Sequence, residues 1–162
     1  MSSVVFLRQE IAEIGRDQVE RVKCAAKASP RSRARICLHH DVDDGVQQMV
    51  IAFYRDAYVR PHRHLGKSES YHLIEGELEL VFFDDAGEPS RRVQMSPLGD
   101  GGTFLYRLSN SLWHTFLPLS EFVVIHEISE GPFRDEGSEF APWGPEESDA
   151  EGIQAFLVKI AS

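Results

Sequence analysis

Short apolar stretches separated by turn residues dominate the chain from residue 46 onward. Several of them alternate apolar and polar positions, which is the pattern of strands with one buried face. Eight stretches recur at intervals of about ten residues, at 46–54, 58–64, 70–75, 77–84, 91–95, 103–108, 112–117 and 122–128. This spacing favours a β-sandwich or closed barrel over alternating strands and helices.

Helical periodicity is confined to the two ends of the chain. Val19, Val22 and Ala26 recur near helical spacing and Pro30 follows them, so we predict a helix over 16–29. Residues 153–160 suit a short helix or strand. With no internal repeat, we expect a single domain over 1–162: an N-terminal helical extension (1–45), a β-barrel (46–130) and a C-terminal arm (131–162).

The charge of the chain bears on its partners. The formal net charge is −9, and residues 1–68 carry 12 Lys and Arg against 8 Asp and Glu. An acidic protein disfavours nucleic acid as a partner, and we interpret the basic run at 27–35 (KASPRSRAR) as a solvated loop. No membrane-spanning stretch or leader is evident, so we expect a cytoplasmic protein without a membrane partner.

Three histidines and one glutamate form a metal-ligand pattern. His62 and His64 are two residues apart, so in a strand both imidazoles lie on one face about 6.6 Å apart. Residues 65–68 allow a turn that brings Glu69 back beside them on the next strand. His114 is distant in sequence and can join them only if the barrel closes. We therefore predict one metal site formed by His62, His64, Glu69 and His114.

These residues resemble the first cupin motif. In PHRHLGKSESYHLIEG (61–76), two histidines, a glutamate and Gly76 stand at the motif's spacing. The second motif is only partly matched around His114, because Ser109, Ser111 and Pro118 replace its proline, glycine and asparagine. These departures affect loop residues and no ligand.

The chain more narrowly resembles the WbuC family of cupin-fold metalloproteins, which cluster with bacterial surface-polysaccharide genes. The stretches that carry the resemblance are 29–49, 58–88, 113–116 (WHTF) and 127–147 (EISEGPFRDEGSEFAPWGPEE). The resemblance implies a mainly β fold, the double-stranded β-helix or jelly-roll barrel, with a short N-terminal helix and a metal bound by the four residues above.

Two functions follow from such a site. The first is a metal-dependent enzyme, an isomerase, lyase or dioxygenase, that acts on a small polar metabolite; the resemblance favours a sugar or nucleotide-sugar derivative in polysaccharide metabolism. The second is a non-catalytic module that binds or senses such a ligand. A metal-free epimerase would need a His/Asp pair instead. Mixed nitrogen and oxygen ligation suits one divalent transition metal, and Fe, Mn, Ni, Zn, Co and Cu all remain open.

Four further residues are candidates for substrate binding. Lys67 is two residues from Glu69 and could meet an anionic substrate at the mouth, or could be an exposed loop residue. His40, in LHHDVDD, could act as an acid or base or could brace the N-terminal segment. Tyr71 and Phe116 could contact the substrate, although aromatic residues more often pack in cores. Strand exchange or edge pairing of such barrels would give a homodimer.

Overall fold

The computed structural model describes residues 2–134 and 137–161, which contain eleven strands and two helices. The helices are α1 (Arg16–Ala28) and α2 (Ala150–Ala161), and a 3-10 turn covers Leu98–Asp100. The strands are β1 (Val4–Phe6), β2 (Arg33–Cys37), β3 (Val46–Tyr54), β4 (His62–His64), β5 (Glu69–Glu75), β6 (Leu78–Phe83), β7 (Pro89–Met95), β8 (Leu105–Leu108), β9 (Trp113–Pro118), β10 (Phe122–Glu130) and β11 (Ser138–Phe140).

The strands form two sheets that face each other. One has six strands in the order β1-β2-β3-β10-β5-β8, and the other has five in the order β11-β4-β9-β6-β7. Apart from the parallel pair β1 and β2, the neighbouring strands are antiparallel. The predicted mainly β, double-stranded β-helix fold is confirmed.

Apolar side chains fill the space between the sheets and also cover their outer faces. Leu73, Leu80, Phe82, Val123 and Ile125 belong to the central cluster, and each is at most 5% exposed. Burying one such side chain stabilises a fold by about 1.5–3 kcal/mol. Helix α1 packs on the outer face of the six-stranded sheet. Helix α2 contributes to a third cluster, on the outer face of the five-stranded sheet. Both sheets are therefore buried on two sides over part of their area.

All eight strands expected from residue 46 onward are present, most of them within two or three residues of their predicted limits. The first has the predicted bounds, Val46–Tyr54, whereas β4 is shorter and covers only His62–His64. Gly76 connects β5 to β6 with a φ of +81°, as the turn chemistry requires. A Cβ at this position would collide with the backbone oxygen of Phe122, so only glycine fits.

Three strands were not predicted. The strands β1 and β11 have only three residues each, too few for a periodic signal. The interpretation of the basic run as a solvated loop is wrong for Arg33–Arg35, which belong to β2 and pair with β3. Because β2 and β11 join the sheets, the expected limits at residues 45 and 131 do not coincide with the limits of the sheets.

The helices agree with the sequence pattern. The predicted N-terminal helix is α1; it follows Gly15, whose backbone N–H donates to the side chain of Gln18 at 3.0 Å, and it ends shortly before Pro30. The alternative of a helix at the C-terminus is confirmed as α2. Among the described residues, neither helix has the length and apolar character needed to cross a bilayer.

Candidate metal centre

Three histidine side chains meet inside the barrel. His62 and His64 lie on β4, and His114 lies directly opposite His62 on the neighbouring strand β9. One ring nitrogen from each histidine falls in a group whose atoms all lie within 4.8 Å of one another. The ring centroids are 4.5 Å apart for His62 and His114, and 5.0 Å apart for His62 and His64. These three residues could therefore hold a metal ion.

Backbone carbonyl groups orient two of the rings. The Nδ1 atom of His62 is 3.0 Å from the carbonyl oxygen of Arg60, and that of His114 is 3.0 Å from the carbonyl oxygen of Leu112. Each Nδ1 must carry the proton to donate to a carbonyl, which leaves the Nε2 lone pair free. This second hydrogen bond is the usual way in which a metal-binding histidine is held in position.

Side chains from two other segments hold the third ring. The Nδ1 atom of His64 lies 2.8 Å from Ser138 Oγ on β11, which pairs with β4. Ser111, which replaces the motif glycine, donates from its hydroxyl to the backbone oxygen of His64 at 2.6 Å. The C-terminal arm and the departure from the motif therefore both brace the site.

The environment of the His114 Nε2 atom shows whether these residues suit a metal ion. His114 is fully buried, and this nitrogen has no hydrogen-bond partner among the described residues. It lies 3.0 Å from Glu69 Oε1, in ionic contact but without the alignment of a hydrogen bond, and the Nε2 atom of His64 lies 3.2 Å from Glu69 Oε2. A buried nitrogen without an aligned hydrogen bond is costly, and a cation between these atoms would satisfy it. The donor set fits a metal ion.

Two tyrosines hold the Glu69 carboxylate. The Tyr106 hydroxyl donates to Oε1 at 2.7 Å, and the Tyr71 hydroxyl donates to Oε2 at 3.3 Å. Burial raises the pKa of both phenols, and the negative charge of Glu69 raises it further, so both stay protonated as donors. Burial alone would raise the pKa of Glu69, but the positive charge of His114 and contacts with both neighbouring histidines hold that pKa well below its usual value.

The histidines differ in protonation. Burial, together with the neighbouring His114, lowers the pKa of His62 to about 3, so its imidazole is neutral and available as a ligand. Burial also acts to lower the pKa of His114, but the adjacent Glu69 carboxylate outweighs it and raises that pKa. Without a metal ion, a proton on His114 therefore compensates the buried carboxylate.

Glu69 approaches the histidines from the opposite sheet. The turn after β4 was expected to return the chain on a neighbouring strand, but β4 and β5 belong to different sheets and do not pair. The turn passes from one sheet to the other, so Glu69 faces His64 and His114 across the interior. Glu69 is not part of the group within 4.8 Å, which contains only the three histidines.

A cavity of about 370 Å³ opens beside the histidines. Its volume lies in the range of about 300–1,000 Å³ that small-molecule sites occupy. His62 and His64 line it, whereas His114 does not. Met49, Ile51 and Phe53 of β3 supply part of its apolar wall. The cavity therefore connects the ligand-bearing face of His62 and His64 with the outside.

Glu127 adds a second carboxyl group to the cavity wall. It lies on β10 opposite Tyr71 and is partly buried. Burial, together with the charge of Glu69, raises the pKa of Glu127 to about 7. A carboxyl group of this kind exchanges its proton near neutral pH, which is the property of a general acid or base.

The four substrate-binding candidates occupy different places. Lys67, Tyr71 and Phe116 line the cavity, and the Lys67 ammonium group donates to the backbone oxygen of Pro132. His40 is exposed and outside the cavity, whereas the adjacent His39 is buried and lines it. No bound molecule tests these four assignments, so they stay predictions.

Two other histidines lie away from the site. His72 is exposed on the outer face of β5, as its position next to Tyr71 predicts. His126 pairs with Val50 and His72 in the six-stranded sheet and is partly buried on its outer face.

Sequence reasoning missed three residues that shape the site: Tyr106, Ser138 and Glu127. Alternation in β10 contained a signal for Glu127, because it follows Val123 and Ile125 on the inward face. Tyr106 could have been suspected from its place in a predicted strand. Ser138 had no signal, because β11 exists only through its pairing with β4.

The chain is similar in fold to several solved structures. An oxalate oxidase in complex with the substrate analogue glycolate has 16% identity and a TM-score of 0.54, covering 83% of this chain and 75% of that chain. A protein from Shewanella oneidensis has 12% identity and a TM-score of 0.51, covering 60% of this chain and 63% of that chain. A cupin superfamily protein from Desulfitobacterium hafniense has 15% identity and a TM-score of 0.47, covering 60% of this chain and 76% of that chain. The present chain thus spans less than two thirds of the Shewanella protein.

The fold and the three histidines define a cupin-fold protein with a group that could hold a metal. The chain belongs to the family described as "Domain of unknown function (DUF6016)", which matches residues 14–95. No curated protein matches the sequence.

Proposed function

We propose that the protein binds one divalent transition-metal ion through His62, His64, His114 and Glu69, and that it is a metal-dependent enzyme for a small polar metabolite. The observation that carries this proposal is the buried Nε2 atom of His114, which has no hydrogen-bond partner among the described residues and faces two further imidazoles and a carboxylate. These four groups lie beside a cavity of suitable size.

The ligand set supports an open site rather than a closed structural one. Structural zinc sites are usually saturated by four tetrahedral ligands, whereas catalytic sites keep a position for water or substrate. Three imidazoles and a carboxylate leave such a position on a five- or six-coordinate ion, and Fe, Mn, Ni, Co, Zn and Cu all accept this donor set. When bound, the ion would supply a Lewis acid for a carbonyl, hydroxyl or carboxylate group.

The protein's own residues would perform the remaining work. Tyr71 and Tyr106 keep the Glu69 carboxylate ionised and in place. Glu127 faces the cavity and can take a proton from a bound molecule or return one to it. A proton carrier beside the site supports an isomerase or lyase over a dioxygenase.

The choice of substrate rests on the resemblance to the WbuC family and its surface-polysaccharide context, which favours a sugar or nucleotide-sugar derivative. Asp135 and Glu136, within the last resembling stretch, lie outside the described residues. A cytoplasmic location and a homodimer remain part of the same proposal.

Elemental analysis of untagged protein, purified without added metal, tests the metal site. We expect close to one transition-metal ion per chain in the wild type and a several-fold lower content in His62→Ala and His114→Ala. His72→Ala is the matched control, because it removes an exposed imidazole outside the site and should keep the metal. Full metal content in both site variants would reject the assignment.

Enzymatic function is tested separately with the metal-loaded protein. A panel of nucleotide sugars, assayed by chromatography with and without chelator, should reveal turnover that chelator abolishes. Stoichiometric binding of a panel member without any product would instead favour a non-catalytic module that binds or senses such a ligand.

A further inference from the structure

The two faces of β2 serve different purposes. Ala34 and Ile36 are buried in the cluster beneath α1. The alternate residues Arg33, Arg35 and Cys37 line the cavity instead. Because successive side chains in a strand point to opposite faces, the alternation RARIC directs two arginines toward the cavity as it anchors the strand to the helix.

Positive charge predominates around the cavity, although the chain as a whole is acidic. Of the described residues that line it, five are cationic and two are acidic: Arg31, Arg33, Arg35, Lys67 and Arg134 against Glu127 and Glu130. The net charge of the chain is −9. A concave surface of one sign focuses the field and attracts small ions of the opposite sign.

Most of these cations already have protein partners. Arg31 and Arg33 both contact the carboxylate of Glu147, at 2.7 and 2.6 Å. Arg134 is paired with Asp43 at 2.7 Å. These ion pairs hold the three arginine side chains in place, but they also neutralise part of the arginines' positive charge.

Arg35 differs from its neighbours. Its backbone N–H donates to Ser3, but within 2–134 and 137–161 its guanidinium group has no hydrogen bond or ion pair. The Arg35 charge nevertheless acts within the cavity, because it lowers the pKa of both Cys37 and Glu127 against the raising effect of burial. The guanidinium group therefore offers unused donors on the cavity side.

We propose that Arg35, with Lys67 beside the histidines, binds an anionic group, a phosphate or a carboxylate, of the small molecule that occupies the cavity. The identification of this anion as part of the substrate rests on the proposed function. The substrate class is then a small anionic metabolite.

The geometry of the donors supports an anion. A guanidinium group presents a planar fork of N–H donors that matches phosphate or carboxylate oxygens, and charge-assisted hydrogen bonds of this kind are about twice as strong as neutral ones. The Lys67 ammonium group uses one of its three donors on Pro132 and has others to offer. Arg35 is exposed and therefore accessible to an anion from solvent, and Ile51 and Phe53 supply apolar surface in the same cavity.

Titration calorimetry with inorganic phosphate and with malonate tests the anion site at low ionic strength. The two probes distinguish a phosphate site from a carboxylate site. We expect at least one probe to bind the wild-type protein and Arg35→Glu to weaken it about tenfold or more. Arg91→Glu is the matched control, because Arg91 is an exposed strand residue outside the cavity and the change in net charge is identical; its affinity should stay within about twofold of wild type.

A second variant and a second readout keep the test decisive. Arg35→Gln removes the charge and shortens the side chain but keeps an amide donor and adds no negative charge, so it should weaken binding less than Arg35→Glu. In ¹⁵N NMR spectra, the Nε–Hε signal of Arg35 should move on addition of the probe. Absence of binding by both probes, or equal weakening by Arg35→Glu and Arg91→Glu, would overturn the proposal.

The calorimetry is done on chelated and on metal-loaded protein, so that the two proposals can fail separately. If a probe binds through Arg35 but no metal is retained, the metal-dependent function is wrong and the anion site remains. If metal binds stoichiometrically but neither probe binds, the anion site alone is rejected.

Discussion

The interior between the sheets has two halves that are built from the same strands. In β10, Val123 and Ile125 are fully buried in the apolar half, whereas Glu127 on the same face lines the cavity. Strand β5 changes in the same way, from Leu73 at the apolar end to Glu69 at the polar end. One half provides stability and the other holds charged groups that an apolar core would exclude. A strand therefore changes its role along its length without changing its alternation.

Removing volume from the apolar half should have the largest effect on stability. Leu80 is fully buried in the central cluster, so Leu80→Ala should lower the free energy of unfolding by about 2–5 kcal/mol. Urea denaturation followed by circular dichroism measures the loss. The metal content of the folded fraction should be unchanged, and a loss of metal without a loss of stability would contradict the division into two halves.

Removing one hydroxyl group in the polar half should affect metal binding rather than folding. Tyr106→Phe deletes the donor to Glu69 Oε1, and such supporting contacts typically contribute about tenfold to a hundredfold to metal affinity. Competition with a chelator of known affinity measures the change. Tyr58→Phe, which loses a hydrogen bond to Pro145 at 2.8 Å, is the matched control and should keep wild-type metal affinity. Equal losses in both variants would mean that Tyr106 has no specific role.

The polar half should also make stability depend on pH. The pKa of Glu127 is raised to about 7 in the folded protein, above the ordinary 4.5 of the unfolded chain. Stability from this group is therefore fully present below pH 4.5 and is lost as the pH rises through 7. Glu127→Gln cannot ionise, so metal-free variant protein should be more stable than wild type by roughly 3 kcal/mol at pH 8 and similar at pH 4.5.

Urea denaturation of chelated protein at the two pH values measures this difference. Glu77→Gln, at an exposed position, is the control and should show little change at either pH. A stability gain of Glu127→Gln that is equal at both pH values would disprove the assigned cause.

The smallest effect is expected on the outer face of the same strand. His72 is exposed and neighbours Tyr71 in sequence, but it points away from the interior. His72→Ala should change the free energy of unfolding by less than about 0.5 kcal/mol and leave chelator competition unaltered. A clear loss of metal in this variant would show that the inner and outer faces of β5 are not independent.

Much of the candidate site could be predicted because its signals are local. The spacing of His62, His64 and Glu69 is contained in one motif over 62–76, and the turn glycine at Gly76 follows from backbone sterics. Tyr106 and Ser138 could not be predicted with the same ease, because their contacts join segments 37 and 74 residues apart in the chain. The cationic residues that β2 contributes to the cavity were missed for a similar reason. Which face of β2 points to the cavity is decided only by its pairing with β3.

The amino-acid sequence alone determined the β-rich class, the positions of the central strands along the chain and the N-terminal helix. It also indicated which three histidines could hold a metal. Local periodicity, turn chemistry and short-range spacing carry this information. Only the tertiary structure decided that Glu69 reaches the histidines from the opposite sheet, that β11 returns to brace His64, and that Arg35 faces the cavity. These features depend on closure of the two sheets, and contacts between segments distant in the chain leave no periodic trace in any one of them.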